Sequence, residues 1–409
     1  MVNKEFERQW QILSMGTAEI VPEDEFKQKL AESIKKNQPL KVKLGLDPSA
    51  PDIHIGHTVP LHKLRQFQDL GHTVQLVIGD FTGQVGDPTG KSETRKQLTK
   101  EEVKENAETY VKQLFKVLDP IKTEIHYNST WLAPLNFADV INLAANVTVA
   151  RMLERDDYEK RFKANLPISV HEFFYPLMQG YDSVALKSDI EMGGTDQKFN
   201  LLMGRQLQKE FGQPQQVALM MPLIEGLDGV QKMSKSLDNY IGIDEEPNQI
   251  YGKSMSIPDE LMVKYYKLVT DLPHKEIEQM IEGLENGSVH PRDAKMKLAY
   301  TLVRMYHGEN AAKEAENHFK TVFQKGALPD DIPVVELNKD DFPDEKVWIV
   351  KLIVTLGLVS SNGEGRRMIQ QGAVKINAEK VEDMDLEVKV EQDMIIQVGK
   401  RKFAKIILN

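Results

Sequence analysis

Two short runs of the chain carry side chains suited to a polyphosphate: His54, Gly56 and His57 in His-Ile-Gly-His, and Lys232 and Lys235 in Lys-Met-Ser-Lys-Ser, about 175 residues further on. A spacing of three puts both imidazoles on one side of a first helical turn, and Gly56 between them removes the Cβ that would block a flat adenine or ribose. A helix N-terminus also favours anionic groups. The two lysines follow Gly226-Leu227-Asp228-Gly229, a run that allows a mobile loop. They could swing over a triphosphate and meet negative charge as it builds on the α-phosphate and the departing pyrophosphate. That chemistry is electrostatic and needs no protein nucleophile. Two capping histidines and a solvated lysine pair are the plainer readings of the same residues, and either motif alone leaves them open.

The elements around these residues set their context. Lys41 to Asp47 and Val74 to Asp80 read as short strands, and Thr58 to Leu70 between them as a helix with Leu61, Leu64 and Leu70 on one face. Strand, helix and strand in about 40 residues make a βαβ unit, hence an α/β fold built on a parallel, doubly wound sheet. Thr99 and Glu102 form a capping box ahead of a helix whose apolar face runs from Val103 to Leu118. Residues 258 to 323 are almost wholly helical in pattern. Residues 326 to 345, with three prolines and a run of acids, read as a linker. A helix carrying Val347, Ile349, Val350, Ile353 and Leu356 follows, then a basic helix from Glu364 to Gln371 and short strands.

Composition narrows the classes. A chain of 409 residues exceeds the size of one hydrophobic core, so two or three domains are expected, and 41% apolar residues are ample for burial. Cysteine is absent, which excludes disulfides, thiolate catalysis and Cys-ligated zinc. The ten histidines form no metal-ligand array, so no protein-held metal is expected and a divalent ion would arrive with a phosphate substrate. The start, MVNKEFERQW, has no signal-peptide core, and no apolar run is long enough for a membrane span; the expected compartment is the cytoplasm. A net charge of −10 argues against a protein that simply coats nucleic acid, although residues 345–409 carry 11 Lys/Arg against 9 Asp/Glu.

Four blocks in order, KLGLDPSAPDIHIGH at 43–57, GDFTGQVGDPTGKSETR at 79–95, YPLMQGYDSVALKSDIEMGGTDQ at 175–197 and KMSKS at 232–236, resemble the bacterial tyrosyl-tRNA synthetase family of the class I aminoacyl-tRNA synthetases. The likeness extends over essentially the whole chain. It implies a Rossmann-like catalytic domain over 1–245, a helical domain over 246–325, a linker over 326–345 and an S4-like RNA-binding domain over 346–409. It implies the ATP-dependent attachment of L-tyrosine to tRNA through tyrosyl-adenylate, with Mg2+ accompanying ATP, in a homodimer. His54, His57, Lys232 and Lys235 then match catalytic positions, and Asp47, Ser49, Gly56, Gly194, Asp196, Ser234 and Lys235 match ATP-site positions. Asp87, Tyr175 and Gln179 match those that receive the amino group of tyrosine, Asp182 the one that bonds the phenol, and Gln197 another tyrosine contact. Read without that likeness, Asp87 is a turn residue before Pro88, Tyr175 and Asp182 are ordinary core-edge residues, and Gly193-Gly194 is a loop.

Two positions depart from the family's pattern. Lys43 stands where many members place a tyrosine that also contacts the substrate hydroxyl, and Glu191 where a glutamine is common; Lys43 is expected to salt-bridge an acid or to point elsewhere. The tail resembles an S4-type module through Arg366 and Arg367 on a basic helix and the turn Gly372 to Asn377, so both arginines are expected to contact tRNA phosphates. A tryptophanyl-tRNA synthetase, and a synthetase-like RNA-binding protein without catalysis, are the competing readings.

Overall fold

The computed structural model describes residues 2–48, 52–87, 99–324, 332–337, 346–377, 379–399 and 402–408. Its central sheet has the order β1-β6-β5-β2-β3-β4, where β1 is Glu19–Val21, β2 Lys41–Leu46, β3 Thr73–Ile78, β4 Thr123–Tyr127, β5 Ile190–Gly194 and β6 Val217–Met221. Strands β2 to β6 run parallel, and β1 closes one edge antiparallel to β6. The sequence shows why. β3 (TVQLVI) and β6 (VALMM) are apolar almost throughout and buried almost throughout, as strands covered on both faces must be. The doubly wound α/β reading therefore holds, with β1, β4, β5 and β6 added to the two strands read from the sequence.

Order reverses at β2, which neighbours β3 on one side and β5 on the other. Crevices at the carboxyl ends of strands at such a switch point are where ligands bind in open α/β sheets. Four elements deliver residues to this crevice. The helix Ile55–Asp69 follows β2, the helix Phe174–Leu186 precedes β5, the short turn Thr195–Gln197 follows β5, and a loop lies beyond β6. Apolar side chains of Phe174–Leu186, among them Leu177 and Val184, pack against Met203 and Leu207 of the helix Lys198–Glu210. That burial fixes one face of Phe174–Leu186 and leaves the other to the crevice.

The chain forms two compact units, Met1–Glu316 and Asn317–Asn409. The helices Pro247–Ser256, Met262–Val269, His274–Glu285 and Pro291–His307 belong to the first unit with the sheet, so no break falls at the expected boundary of 245 and 246. The reason lies in side chains that cross it: the Tyr306 hydroxyl donates to Thr58 Oγ1 at 3.2 Å and the Tyr265 hydroxyl to the Glu225 carbonyl at 2.7 Å.

In the second unit β7 (Val334–Leu337), β8 (Lys346–Trp348), β9 (Val374–Ile376), β10 (Glu379–Lys380), β11 (Glu387–Lys389), β12 (Ile395–Val398) and β13 (Lys402–Leu408) form a sheet of order β10-β9-β12-β13-β7 and the pair β11-β8. Two sequence expectations need correction here. Within the expected linker, Val334–Leu337 pairs parallel with β13, since its alternating apolar residues complete the small sheet. Val347 lies on β8, paired with Val388, and the helix begins only at Ile349. The basic helix spans Asn362–Gln370. Among the described residues no helix is long and apolar enough to cross a membrane.

Candidate active site

A cleft of about 570 Å3 opens at the β2–β5 switch point. His54, Gly56, His57, Lys232, Ser234 and Lys235 line it, and so do Asp47, Asp87, Tyr175, Gln179 and Asp182. Gly194, Asp196 and Gln197 complete the set. Every expected cleft residue within the described part of the chain is thus brought to one place; Ser49 and residues 88–95 lie outside the described residues.

His54 is the N-cap of Ile55–Asp69, and its backbone N–H donates to His57 Nδ1 at 3.4 Å. The two rings stack at 3.8 Å between centroids and 20° between planes. Burial, then His57 and the two lysines, takes His54 down to about 2; burial with the same lysines takes His57 down to about 4. Both imidazoles are therefore neutral at neutral pH, and each keeps one ring N–H able to donate. The close approach at Gly56 is to protein first. A Cβ there would stand 2.9 Å from His54 Nδ1, so glycine is needed for the histidine stack itself.

The lysine loop is pinned. Asp228 accepts from the backbone N–H groups of Val230 and Gln231, Asn239 Nδ2 donates to Asp228 Oδ2 at 2.6 Å, and Asn239 Oδ1 accepts from Ser234 N at 2.8 Å. This holds Lys232 over the carboxylate of Asp196, Nζ to Oδ2 3.0 Å. Lys235 Nζ donates to the Asp52 carbonyl and lies 3.9 Å from its carboxylate; burial lowers this ammonium's pKa, partly opposed by Asp52. A Cβ at Gly194 would collide with Asp196 Oδ1 at 2.5 Å, which ties that glycine to the placement of the carboxylate.

Across the cleft, Tyr175, Gln179 and Asp182 lie four and three residues apart on Phe174–Leu186 and so share its crevice face. The Tyr175 hydroxyl donates to Asp47 Oδ2 at 2.8 Å, and Thr82 holds the other oxygen at 2.7 Å. Asp87 accepts from Gln197 Nε2 at 2.8 Å and Arg155 Nη2 at 3.3 Å. Asp182 is buried and accepts from Trp131 Nε1 at 2.8 Å and Asn128 Nδ2 at 3.4 Å. Burial pushes its carboxyl up to about 7, against the opposing Lys43 charge and these two donors.

Lys43 turns away from the cleft. It is fully buried, as is Glu191, its register partner on β5, and Nζ lies 2.9 Å from Glu191 Oε1. The same ammonium donates to Ser183 Oγ at 2.7 Å and to the Gln179 carbonyl at 3.1 Å. Glu191 also accepts from Gln179 Nε2 at 3.1 Å, from Ser183 Oγ at 2.9 Å and from Gln216.

Sequence reasoning missed Trp131, Asn128, Arg155, Thr82 and Asn239. Thr82 lies within the block at 79–95 but nothing there marks its role, and no motif marks the others, because each meets its cleft partner at least five residues away in the chain, most of them far more. Only the charges in β2 and β5 gave a signal, since an ionised side chain inside a covered parallel strand must find a counter-charge. In the second unit Arg366 and Arg367 are exposed on Asn362–Gln370, and the Arg366 guanidinium lies over the Trp348 ring at 5.2 Å.

Comparison with known proteins gives the family. The family described as "tRNA synthetases class I (W and Y)" matches residues 35–324, and the "Tyrosine--tRNA ligase SYY-like C-terminal domain" matches residues 323–406. The tyrosine--tRNA ligase of Moorella thermoacetica is 61% identical over 405 residues, 99% of this chain and 97% of its own. That of Carboxydothermus hydrogenoformans is 57% identical over 98% of each chain. Among solved structures, the tyrosyl-tRNA synthetase of Archaeoglobus fulgidus complexed with L-tyrosine superposes with a TM-score of 0.62 at 23% identity, over 76% of this chain and 99% of its own, a likeness of fold.

Proposed function

The chain belongs to the tyrosine--tRNA ligase family of class I tRNA synthetases, and from that premise we propose how its residues divide the work of joining L-tyrosine to tRNA with ATP. One observation carries the proposal. The histidine pair and the lysine loop meet the Asp87, Tyr175, Gln179 and Asp182 group in a single cleft, so a triphosphate and an amino acid can lie side by side.

In the first step a tyrosine carboxylate oxygen attacks the α-phosphorus of ATP in line. A P–O bond to tyrosine forms, the bond to pyrophosphate breaks, and tyrosyl-adenylate remains. His54 and His57 donate N–H groups to the phosphate oxygens, while Lys232 and Lys235 meet the charge that grows on the α-phosphate and the leaving group. Ser234, Asp47, Ser49 and Gly56 shape the ATP site. Asp196, with Gly194 beside it, accepts from the ribose once Lys232 moves off its carboxylate. Asp87, Tyr175 and Gln179 take the ammonium, Asp182 accepts the phenol hydrogen, and Gln197 steadies Asp87. In the second step a terminal hydroxyl of the tRNA 3′ adenosine attacks the adenylate carbonyl, and AMP departs.

The acids of the cleft are already engaged by protein donors: Asp47 by Tyr175, Asp87 by Gln197, Asp182 by Trp131 and Asp196 by Lys232. Magnesium accordingly enters with the triphosphate, whose oxygens are its ligands. The helical domain read over 246–325 serves the tRNA side, and residues 346–409 form an S4-like RNA-binding module. Arg366 and Arg367 there contact phosphates and position tRNA without reading its sequence. The enzyme works in the cytoplasm, where its substrates are, as a homodimer. Supporting the dimer, Phe137, Ile141, Val149, Phe162, Leu166 and Val170 leave large apolar side chains exposed within one short stretch. The whole reading is tested by pyrophosphate exchange across the twenty amino acids: exchange with tyrosine and none with tryptophan is expected, and the reverse would sink it.

A further inference from the structure

We propose that Glu191, charge-balanced by Lys43, is a positioning residue that turns the side-chain carbonyl of Gln179 toward the amino-acid pocket, where it accepts a hydrogen bond from the substrate ammonium. The inference rests on the reading of that pocket as the tyrosine site.

The argument is one of donor and acceptor types. A primary ammonium brings three N–H donors and no acceptor, so a pocket that binds it must present oxygen lone pairs. A glutamine amide is ambiguous in this respect, because one end donates and the other accepts, and a half-turn exchanges them. Glu191 removes the ambiguity. Its carboxylate accepts at each of its contacts, from Lys43 at 2.9 Å, Ser183 at 2.9 Å, Gln179 Nε2 at 3.1 Å and Gln216. Only the NH2 end of Gln179 can face such a group, so the carbonyl end faces the opposite way, into the cleft that Gln179 lines. Tyr175 is oriented by the same device. Its hydroxyl hydrogen goes to Asp47 at 2.8 Å, which leaves the oxygen's lone pairs for a ligand.

Lys43 makes the arrangement tolerable. Glu191 is fully buried in a central strand, and an unpaired carboxylate there would be strongly destabilising. Lys43 supplies the counter-charge from the adjacent strand and, through the Gln179 carbonyl at 3.1 Å and Ser183 Oγ at 2.7 Å, clamps the helix that carries Gln179. The pair touches the helix and not the cleft, so it acts through Gln179.

The test uses the full chain and two ligands, L-tyrosine and 3-(4-hydroxyphenyl)propionate, which has the same ring and carboxylate but no ammonium. Replacing the pair by apolar residues of similar size, Lys43→Met with Glu191→Leu, removes the acceptor without stranding a charge. Tyrosine binding is expected to weaken about tenfold, the scale of one hydrogen bond to a charged group, with the propionate and the KM for ATP unchanged. Adding Gln179→Glu to that variant is expected to restore tyrosine binding, since a carboxylate accepts whichever way it is turned. Equal weakening of both ligands, which a merely structural role would give, overturns the proposal, and so does unchanged tyrosine binding. Lys43→Met with Glu191→Gln keeps the test decisive if the first double variant does not fold, since an uncharged amide at 191 can face Gln179 with either end: the same selective loss supports the proposal, and equal or no loss overturns it. A wild-type chain without tyrosine-dependent exchange would instead reject the pocket's assignment itself.

Discussion

Lys43 and Glu191 are register partners on adjacent parallel strands, joined at 2.9 Å in a position closed to solvent. In the sequence they are 148 residues apart and look like two separate departures from the family's pattern. In the fold they are one feature. The counter-charge that each needs is the other, which turns residue 43 away from the cleft.

Breaking this pair from one side leaves a buried charge without its partner. Lys43→Met alone is expected to destabilise the first unit by about 3–5 kcal/mol, while Lys43→Met with Glu191→Leu costs far less. Urea denaturation of the two variants checks the difference, and equal losses would count against the pair as a coupled unit.

Lys235 is expected to act on charge that exists only as pyrophosphate leaves. Lys235→Ala should slow tyrosine-dependent pyrophosphate exchange about 10²- to 10³-fold, the scale of one lost electrostatic donor. Circular dichroism should be unchanged, because among the described residues the polar contacts of the lysine side chain are with Asp52, whose own side chain is half-exposed. Unchanged exchange would remove Lys235 from the catalytic set.

His57 and Asp182 should give stability opposite slopes with pH. An unfolded histidine titrates near 6.5, whereas His57 in the fold is held at about 4. The unfolded chain therefore binds the extra proton between those values, so this contribution rises with pH from about 4 to 6.5 and is flat above. Asp182, pushed up to about 7, keeps in the fold a proton that the unfolded chain loses near 3.9, so its contribution falls over about pH 4 to 7. Urea midpoints measured over this range should lose the rise in His57→Gln and the fall in Asp182→Asn.

The exposed apolar stretch should be covered in solution. Phe137 and Ile141 lie one turn apart on the helix Phe137–Ala144, 81% and 53% exposed. Sedimentation at micromolar concentration is expected to give a dimer for the wild type and a monomer for Ile141→Asp. A monomeric wild type would reject the dimer.

Much of this protein was legible in the sequence because its signals are local. A βαβ period, the Thr99–Glu102 capping box, a histidine pair at the start of a helix and a lysine loop after glycines each depend on residues close together in the chain. The parallel sheet and the histidine and lysine members of the cleft could be read from them, whereas Asp87, Tyr175, Gln179 and Asp182 came only from the resemblance to the family. What the sequence left open was every relation across distance: that β1 and Val334–Leu337 would be strands, since three or four residues acquire that state only from the partner they pair with; that Trp131 and Asn128 would hold Asp182; that Asn239 would pin the lysine loop; and that Lys43 would face Glu191. Residue type and spacing determine which chemistry a chain can perform. Which acceptor faces the ligand, and which buried charge finds its partner, depends on strand register and helix packing, and those exist only once the chain has folded.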